Sequence, residues 1–418
     1  MQKRLLIFLA MLLASSTALS VQASDFVLGI FGNANMDDDI DEKDIDYLEG
    51  VIKGTNPATN LSDANYDGKI DAKDIDQIMD IMIGTEKELT LIDTANRTIT
   101  IKKPINRIVS YNIGFLETTR SIKLDKGKIV GIDGWSKQNK EFYPEYSELP
   151  DVGTISPFTF NCEKVLELQP DIVVLYGKTF PSERDEIVIK LQEANPKIIV
   201  LCMECQLPAI YAKEVKTLGF ILDRTDEADE FLRFYCGVLN EIKDKVNEIT
   251  EERRPRVYLE HTNNYQTHCG ESVYSERLEE AGGKNIFGEV SANIQDMDPE
   301  RVLIYDPEVI VKVSWPTGGY DKNNVTLLSS IRDEIFNRSE LAKVPALKNK
   351  RVYVFNRYIA SGAASFIGSA YMAKWFYPDM FKDLDPQAIH QAYLTRYQGL
   401  NYDLNKKGVF VYPPLEEN

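Results

Sequence analysis

The chain has 418 residues, 65 acidic against 48 basic side chains, and a formal net charge of −17. At ~150 residues per domain this length suggests two to three domains, and a hydrophobic content of 43% supplies a sizeable core. These values exclude a wholly disordered chain and a disulfide-dense miniprotein. They also argue against a nucleic-acid binder, which needs a basic face for phosphates.

Lys3 and Arg4 precede an apolar run from Leu5 to Leu13, then small residues and Val21-Gln22-Ala23. This is the layout of a secretory signal cleaved near Ala23. The run is shorter than the ~20 residues a membrane span needs, and no later segment is long and apolar enough. The expected mature protein is secreted, extracellular or cell-surface associated, with no span of its own. Five cysteines, Cys162, Cys202, Cys205, Cys236 and Cys269, fit no disulfide framework. Cys202 and Cys205 read as a local disulfide or as buried small hydrophobes. Sequons start at Asn60, Asn96, Asn324 and Asn337 and permit glycosylation.

Residues 24–88 are strongly acidic and repeat at a 30-residue offset. One copy places Asn33, Asn35, Asp37, Asp39, Asp41 and Asp44 at loop positions 1, 3, 5, 7, 9 and 12; the other places Asp63, Asn65, Asp67, Lys69, Asp71 and Asp74 there. Calcium is a hard cation that takes 6–8 oxygen ligands, and this is the spacing of EF-hand-type loops, with position 7 lending its main-chain carbonyl. Two calcium sites are expected, the second more strongly. Asp38 stands in the first copy where Gly68 supplies the sharp turn of the second. Each loop runs into an apolar helix that stops at Gly54 or Gly84. Position 12 is Asp, not the long Glu of true EF-hands, and no helix precedes either loop. With the tandem spacing, residues 31–85 resemble type I dockerins. That resemblance implies a small all-α module and a cohesin-type partner.

From Leu89 the pattern changes. Leu89–Asp93 and Thr98–Lys102 read as a hairpin about Thr94–Arg97. Apolar strands then alternate with amphipathic stretches at 107–111, 128–132, 171–176 and 197–202. Val/Ile runs of this kind imply strands buried on both faces, hence a parallel α/β sheet. A Pro-free helical pattern over 226–253 predicts one long helix. A second strand–helix series follows at 256–260, 308–313 and 351–355, closing with a helix near 363–376. Asn161–Val174 matches Asp298–Val311 at an offset of 137 residues. The simplest explanation is two similar Rossmann-like lobes, 89–225 and 254–418, joined by the helix 226–253.

Four segments in this order, "LIDTANRTITIKKPINRIVSYN", "DVGTISPFTFNCEKVLELQPDIVVLYG", "LEEAGGKNIF" and "VPALKNKRVYVFNR", resemble the iron-chelate and vitamin B12 class of substrate-binding proteins of ABC importers. The resemblance covers about residues 89–400. It implies capture of a metal chelate (iron–siderophore, haem or corrinoid) in the cleft between lobes, and delivery to an ABC permease. It also implies that Glu163 and Glu300 pair with permease arginines. A dockerin joined to such a domain resembles secreted proteins of methanogenic archaea. No enzymatic activity is expected: there is no nucleophile elbow, phosphate-cradling loop or His-Glu zinc motif.

Ligands of such folds sit beyond the C-terminal ends of parallel strands. The residues expected there are Tyr111, Asn112, Tyr176, Lys178, Glu260, His261, Tyr265, Trp315, Arg357 and Tyr358. Aromatic faces suit a planar chelate and the cations an anionic one. His261, His268, Cys269 and Glu271 also invite a bare-metal site, although the first lobe holds no matching histidine. Two other readings stay open: a dockerin-borne, chelatase-like enzyme, and a scaffold component with a degenerate cleft.

Overall fold

A computed structural model describes residues 26–155 and 157–415. The signal segment read over 1–23 lies outside them. The chain is mixed α/β and divides into two units. One comprises the residues up to Cys205 with Ala209–Arg233, the other Gln206–Pro208 with Phe234 onward.

The first unit opens on the duplicated loops. Helices α1 (Glu42–Ile52) and α2 (Ala72–Ile83) start at Asp41 and Asp71, each closing a capping box with Asp44 or Asp74 three residues on. Such a cap stabilises a helix by about 1 kcal/mol. Helix α2 stops where Gly84 turns left-handed at φ 68°, a conformation glycine adopts without cost. Strands β1 (Glu88–Ile92) and β2 (Thr98–Lys102) form the antiparallel hairpin, with Leu89 opposite Ile101. Strands β3 (Ile108–Ser110), β4 (Ile129–Ile132), β5 (Ile172–Tyr176) and β6 (Ile199–Met203) form a parallel sheet in the order β4-β3-β5-β6. Val109, Val173, Leu175 and Val200 are buried in its core. The apolar runs therefore do mark strands covered on both faces.

In the second unit, β7 (Arg256–Glu260), β11 (Val309–Ser314) and β12 (Val352–Asn356) are parallel neighbours. The sheet is extended by antiparallel strands absent from the sequence reading: β8 (Gln266–His268), β10 (Ile294–Asp296) and β13 (Val411–Tyr412). Each has two or three residues and no apolar alternation, so periodicity gave no sign of it. The two-residue β9 (Lys284–Asn285) pairs with β7.

The 137-residue repeat is structural. In the first unit α3 (Cys162–Glu167) leads into β5, and in the second α4 (Pro299–Tyr305) leads into β11. Asn161 caps α3 through the Lys164 amide at 2.9 Å, and Asp298 caps α4 through the Glu300 amide at 2.8 Å. Gln169 and Asp306, each before a proline, are both left-handed, with φ 47° and 49°. Arg107 donates to the Leu168 and Gln169 carbonyls, and Arg256 to those of Tyr305 and Asp306. Asp171 and Glu308 each accept the main-chain amide of that arginine, at 2.9 and 3.0 Å. The same device thus closes the same helix twice.

One expectation is corrected. The long helix, Thr225–Val246, ends short of Arg253. After it the Glu248 and Ile249 amides bond only three residues back, and a 3-10 turn at Glu251–Arg253 precedes Pro255. The apolar Ile249 that extended the helical pattern is buried by this turn instead. Of the two readings open for Cys202 and Cys205, the structure has the second: both are free and buried, as small hydrophobes are, and the other three cysteines are free as well.

Candidate functional site

At the strand ends of the first unit, most of the expected ligand residues are consumed by the fold. Tyr111 is 1% exposed, packs edge-on against Phe158 and Phe160, and donates its hydroxyl to the Thr159 carbonyl at 2.6 Å. Burial raises its pKa. Asn112 is fully buried; it accepts the Phe115 amide to cap the following helix and donates to the Met203 carbonyl at 2.7 Å. The Tyr176 hydroxyl accepts the Ile113 amide. These three are turned into the fold: Asn112 caps the helix after β3, Tyr176 bonds the first turn of that same helix, and Tyr111 is packed between rings. Lys178 does project outward. Its loop hangs on Glu204, fully buried, which accepts the Lys178 and Thr179 amides at 2.7 and 3.1 Å. Behind it Glu214 accepts the Glu204 and Cys205 amides, both at 2.6 Å, and burial raises its pKa to about 7.

The second unit differs. Glu260 is again buried, held by Lys312 at 2.8 Å and by a forked Arg338 at 2.7 and 3.1 Å. Asn264 accepts from both cations. Glu260 is therefore the anchor of a buried ion cluster and not a ligand contact. Arg338 lies over the Tyr265 ring, 4.9 Å from its centroid, and Tyr265 donates its hydroxyl to Glu340. That ties Tyr265 to the same cluster.

Beside it stands a group with outward faces. His261 Nδ1 lies 3.0 Å from His268 Nε2, and His268 Nδ1 lies 2.8 Å from Ser272 Oγ. The His268 ring stacks on Tyr274 at 4.1 Å. Burial, then His261 and Arg357, lowers the His268 pKa to about 3; burial, Arg357 and Lys312 lower that of His261. Both rings are thus neutral near pH 7, and the His261 Nε2 is not used by the pair. Exposed Arg357 lies over the Trp315 ring at 5.4 Å, and Tyr358 meets Trp315 edge-on at 5.5 Å. His261, Trp315, Arg357 and Tyr358 therefore cluster at the C-terminal ends of β7, β11 and β12. Such a surface offers aromatic faces, a guanidinium fork and a neutral imidazole. The bare-metal set does not assemble, because Cys269 faces the core and Glu271 bonds Ser291.

Sequence reasoning missed Glu204, Glu214, Lys312, Arg338, Ser272 and Tyr274. Lys312 had a legible signal: a lysine inside the apolar run Val309–Val313 requires a buried partner. The others had none: the partners of Arg338 and Glu204 lie far along the chain, and Glu214, Ser272 and Tyr274 meet nearby residues only because the backbone between them turns back.

The two loops are built alike but not equally. In both, the position-12 carboxylate accepts two main-chain amides: Asp44 from Asn35 and Asp41, Asp74 from Asn65 and Asp71. In the second, Asp63 also accepts the Asp67 and Gly68 amides, at 3.0 and 2.9 Å, and Gly68 takes φ 85°. Asp63, Asn65, Asp67, Asp71, Asp74 and the Lys69 carbonyl are a hard oxygen set that fits calcium. In the first, position 6 is Asp38, which is not left-handed. Asn33 brings a neutral amide oxygen, which accepts the Asp37 amide at 3.1 Å, where Asp63 brings a carboxylate, and the Asp39 carboxylate turns to Lys216 at 2.9 Å. The first loop is the poorer fit. Among the described residues no three His, Cys, Asp or Glu side chains gather as a metal cluster.

Glu163 and Glu300 occupy matching exposed positions on α3 and α4. Glu163 borders an open depression lined by Asp151, Gly153 and Thr159–Cys162. Two strand-and-helix units of this construction, with polar and aromatic groups at their strand ends, define a solute-binding class.

Residues 108–358 match the periplasmic binding protein family, and the chain belongs to it. It is similar to the molybdate-binding protein MolA of Haemophilus influenzae, 22% identical over 340 residues that cover 74% of this chain and 91% of MolA. An uncharacterized ABC transporter substrate-binding lipoprotein of Bacillus subtilis, YvrC, is 24% identical over 70% of this chain and 86% of its own. The crystal structure of the TroA-like periplasmic binding protein FepB from Veillonella parvula shares the fold, with a TM-score of 0.66 and 24% identity over 77% of this chain and 98% of that one. The protein is accordingly an ABC-transporter-type substrate-binding protein and not an enzyme. No described helix is long and apolar enough to cross a membrane.

Proposed function

We propose that this is the exported solute-binding component of an ABC importer and that its solute is a metal chelate: an iron–siderophore, haem or corrinoid. The observation that carries the reading is the outward group His261, Trp315, Arg357 and Tyr358 at the strand ends of the second unit. Aromatic faces and a guanidinium fork suit a flat, anionic, metal-bearing solute. MolA, named for molybdate, supports a metal-bearing solute in general. Glu163 and Glu300, repeated on the two units, would register the protein on the basic side chains of a permease.

The N-terminal module binds calcium in its second loop and more weakly in its first. Its helices leave Ile52 on α1 and Met79, Met82 and Ile83 on α2 exposed, apolar side chains suited to a cohesin-type partner. Calcium would add a fixed cation among carboxylates; Asp63, Asn65, Asp67, Asp71, Asp74 and the Lys69 carbonyl would hold it.

The test is thermal unfolding in calcium against cobalamin, haem, ferric chelates and molybdate. A solute at 100 times its dissociation constant adds about 2.7 kcal/mol to the native state. One chelate that raises the transition, and raises it only about half as much in Arg357→Ala, supports the reading. Molybdate alone as the hit, or a hit insensitive to Arg357→Ala, overturns it.

A further inference from the structure

The calcium-loop module is not hung on the first unit by a free linker. Ile30 bridges to Leu91, and main-chain hydrogen bonds join Phe31 to Thr90 at 2.9 Å and Ile92 to Gly29 at 2.7 Å. The segment before the first loop thus runs beside β1 as an added edge. Leu28, Ile30, Leu89 and Leu91 are fully buried there. The hairpin in turn is tied to the sheet: the Thr94 amide donates to the Cys202 carbonyl at 3.0 Å, and Arg97 donates to the Val200 carbonyl at 2.8 Å.

Three polar links reinforce this join. Gln77 on α2 donates to the Glu88 carbonyl at 2.8 Å. Lys103, almost fully buried, pairs with Glu86 and with Asp223 and donates to the Phe220 carbonyl at 2.7 Å. Lys216, on the helix Pro208–Leu222 (α5), is shared between Asp39 of the first loop and Asp229, at 2.9 and 2.8 Å. The second loop reaches the same join: Tyr66 at its position 4 meets Phe31 edge-on at 4.8 Å. A buried ammonium or carboxylate needs its partner held in place, because an unpaired buried charge is costly. Whatever orders the loops therefore orders Asp39, one of the two partners of Lys216, and the seat of Phe31.

We propose that the N-terminal module is a calcium-dependent buttress of the first solute-binding unit. Calcium in the second loop fixes Tyr66 and Phe31 against β1, and the ordered module keeps Asp39 on Lys216 of α5. Calcium then protects a part of the protein that holds none of its ligands. This rests on the calcium reading above and goes beyond attachment to a partner.

Hydrogen exchange of the full chain, with calcium or with a calcium chelator, tests it. The expected result is exchange slowed about tenfold or more by calcium in residues 61–86, in β1 and in α5, with β11 of the second unit unchanged. The Asp63→Asn/Asp67→Asn double variant should lose the effect at all three places. Slowing confined to residues 30–86 overturns the buttress and leaves the calcium reading standing. No slowing anywhere overturns both. Slowing of α5 that persists in the double variant also overturns the proposal, since calcium would then act elsewhere.

Discussion

The two solute-binding units use one building block and end it differently. Each has a capped short helix, a left-handed residue before a proline, an arginine closing the helix, and a buried parallel strand. Past the strands they diverge. The first unit buries Tyr111, Asn112 and Tyr176 and suspends Lys178 from a carboxylate that accepts main-chain amides. The second buries an ion cluster around Glu260 and leaves His261, Trp315, Arg357 and Tyr358 within reach of solvent. The difference teaches that a repeated scaffold does not repeat its chemistry: the frame is set by packing, and the side chains beyond the strands are free to specialise.

The comparison can be broken most sharply at Glu260. Arg338→Ala should cost the second unit about 3–5 kcal/mol, because it leaves the buried Glu260 carboxylate with Lys312 as its remaining counter-charge, beside the Tyr265 amide and the Tyr258 hydroxyl. Urea unfolding followed by hydrogen exchange in β7 and β11 measures it. A cost under about 1 kcal/mol would mean that the cluster relaxes into water.

Acid and base should separate the units next. Burial holds the folded-state pKa of His268 and His390 at about 3, below the unfolded value near 6.5. Their contribution is present above pH ~6.5 and is lost as the pH falls toward ~3. Glu214 has the opposite sign. Its folded pKa is raised to about 7, so its contribution is present below pH ~4.5 and lost as the pH rises through ~7. Denaturation curves across this range should show His268→Gln flattening the acid loss and Glu214→Gln the loss toward neutrality. Identical pH profiles for wild type and both variants would refute the assignment.

Solute affinity is the third test. For a chelate that binds, Arg357→Ala or His261→Ala should weaken it about tenfold, ~1.4 kcal/mol, without lowering the unfolding midpoint. Lys178→Ala should weaken it less than about threefold, since a lone exposed lysine contributes little. Calorimetric titration of the three variants would reverse the comparison if Lys178 proved the larger.

The smallest effect sharpens the likeness instead. Asn161→Ala and Asp298→Ala remove equivalent caps and should each cost about 1 kcal/mol. Unequal costs, read from chemical denaturation, would show that the two short helices are not held alike.

Much of the frame was legible. Leu89–Ile101 alternation marked the hairpin, and unbroken Val/Ile runs marked the parallel strands, because burial on both faces leaves no polar position. The solvent-facing residues at the strand ends were legible only in half. His261, Trp315, Arg357 and Tyr358 lie where strand-end reasoning puts them. Tyr111 and Glu260 obeyed the same rule, yet their side chains turned inward to partners that proximity in sequence does not reveal. The end of the long helix was missed because a buried Ile249 in a turn continues the helical apolar pattern.

The sequence by itself determined the loops, the repeat, the order of strands and helices, and the class of protein, since spacing and periodicity are properties of the chain. Tertiary structure alone decided which strand-end side chains face solvent. It also decided that Lys216 is clamped by Asp39 and Asp229, and that the duplicated-loop module is built into the first unit. Those are contacts between residues up to 177 positions apart. They exist because buried charges and main-chain amides must find partners wherever the fold brings them.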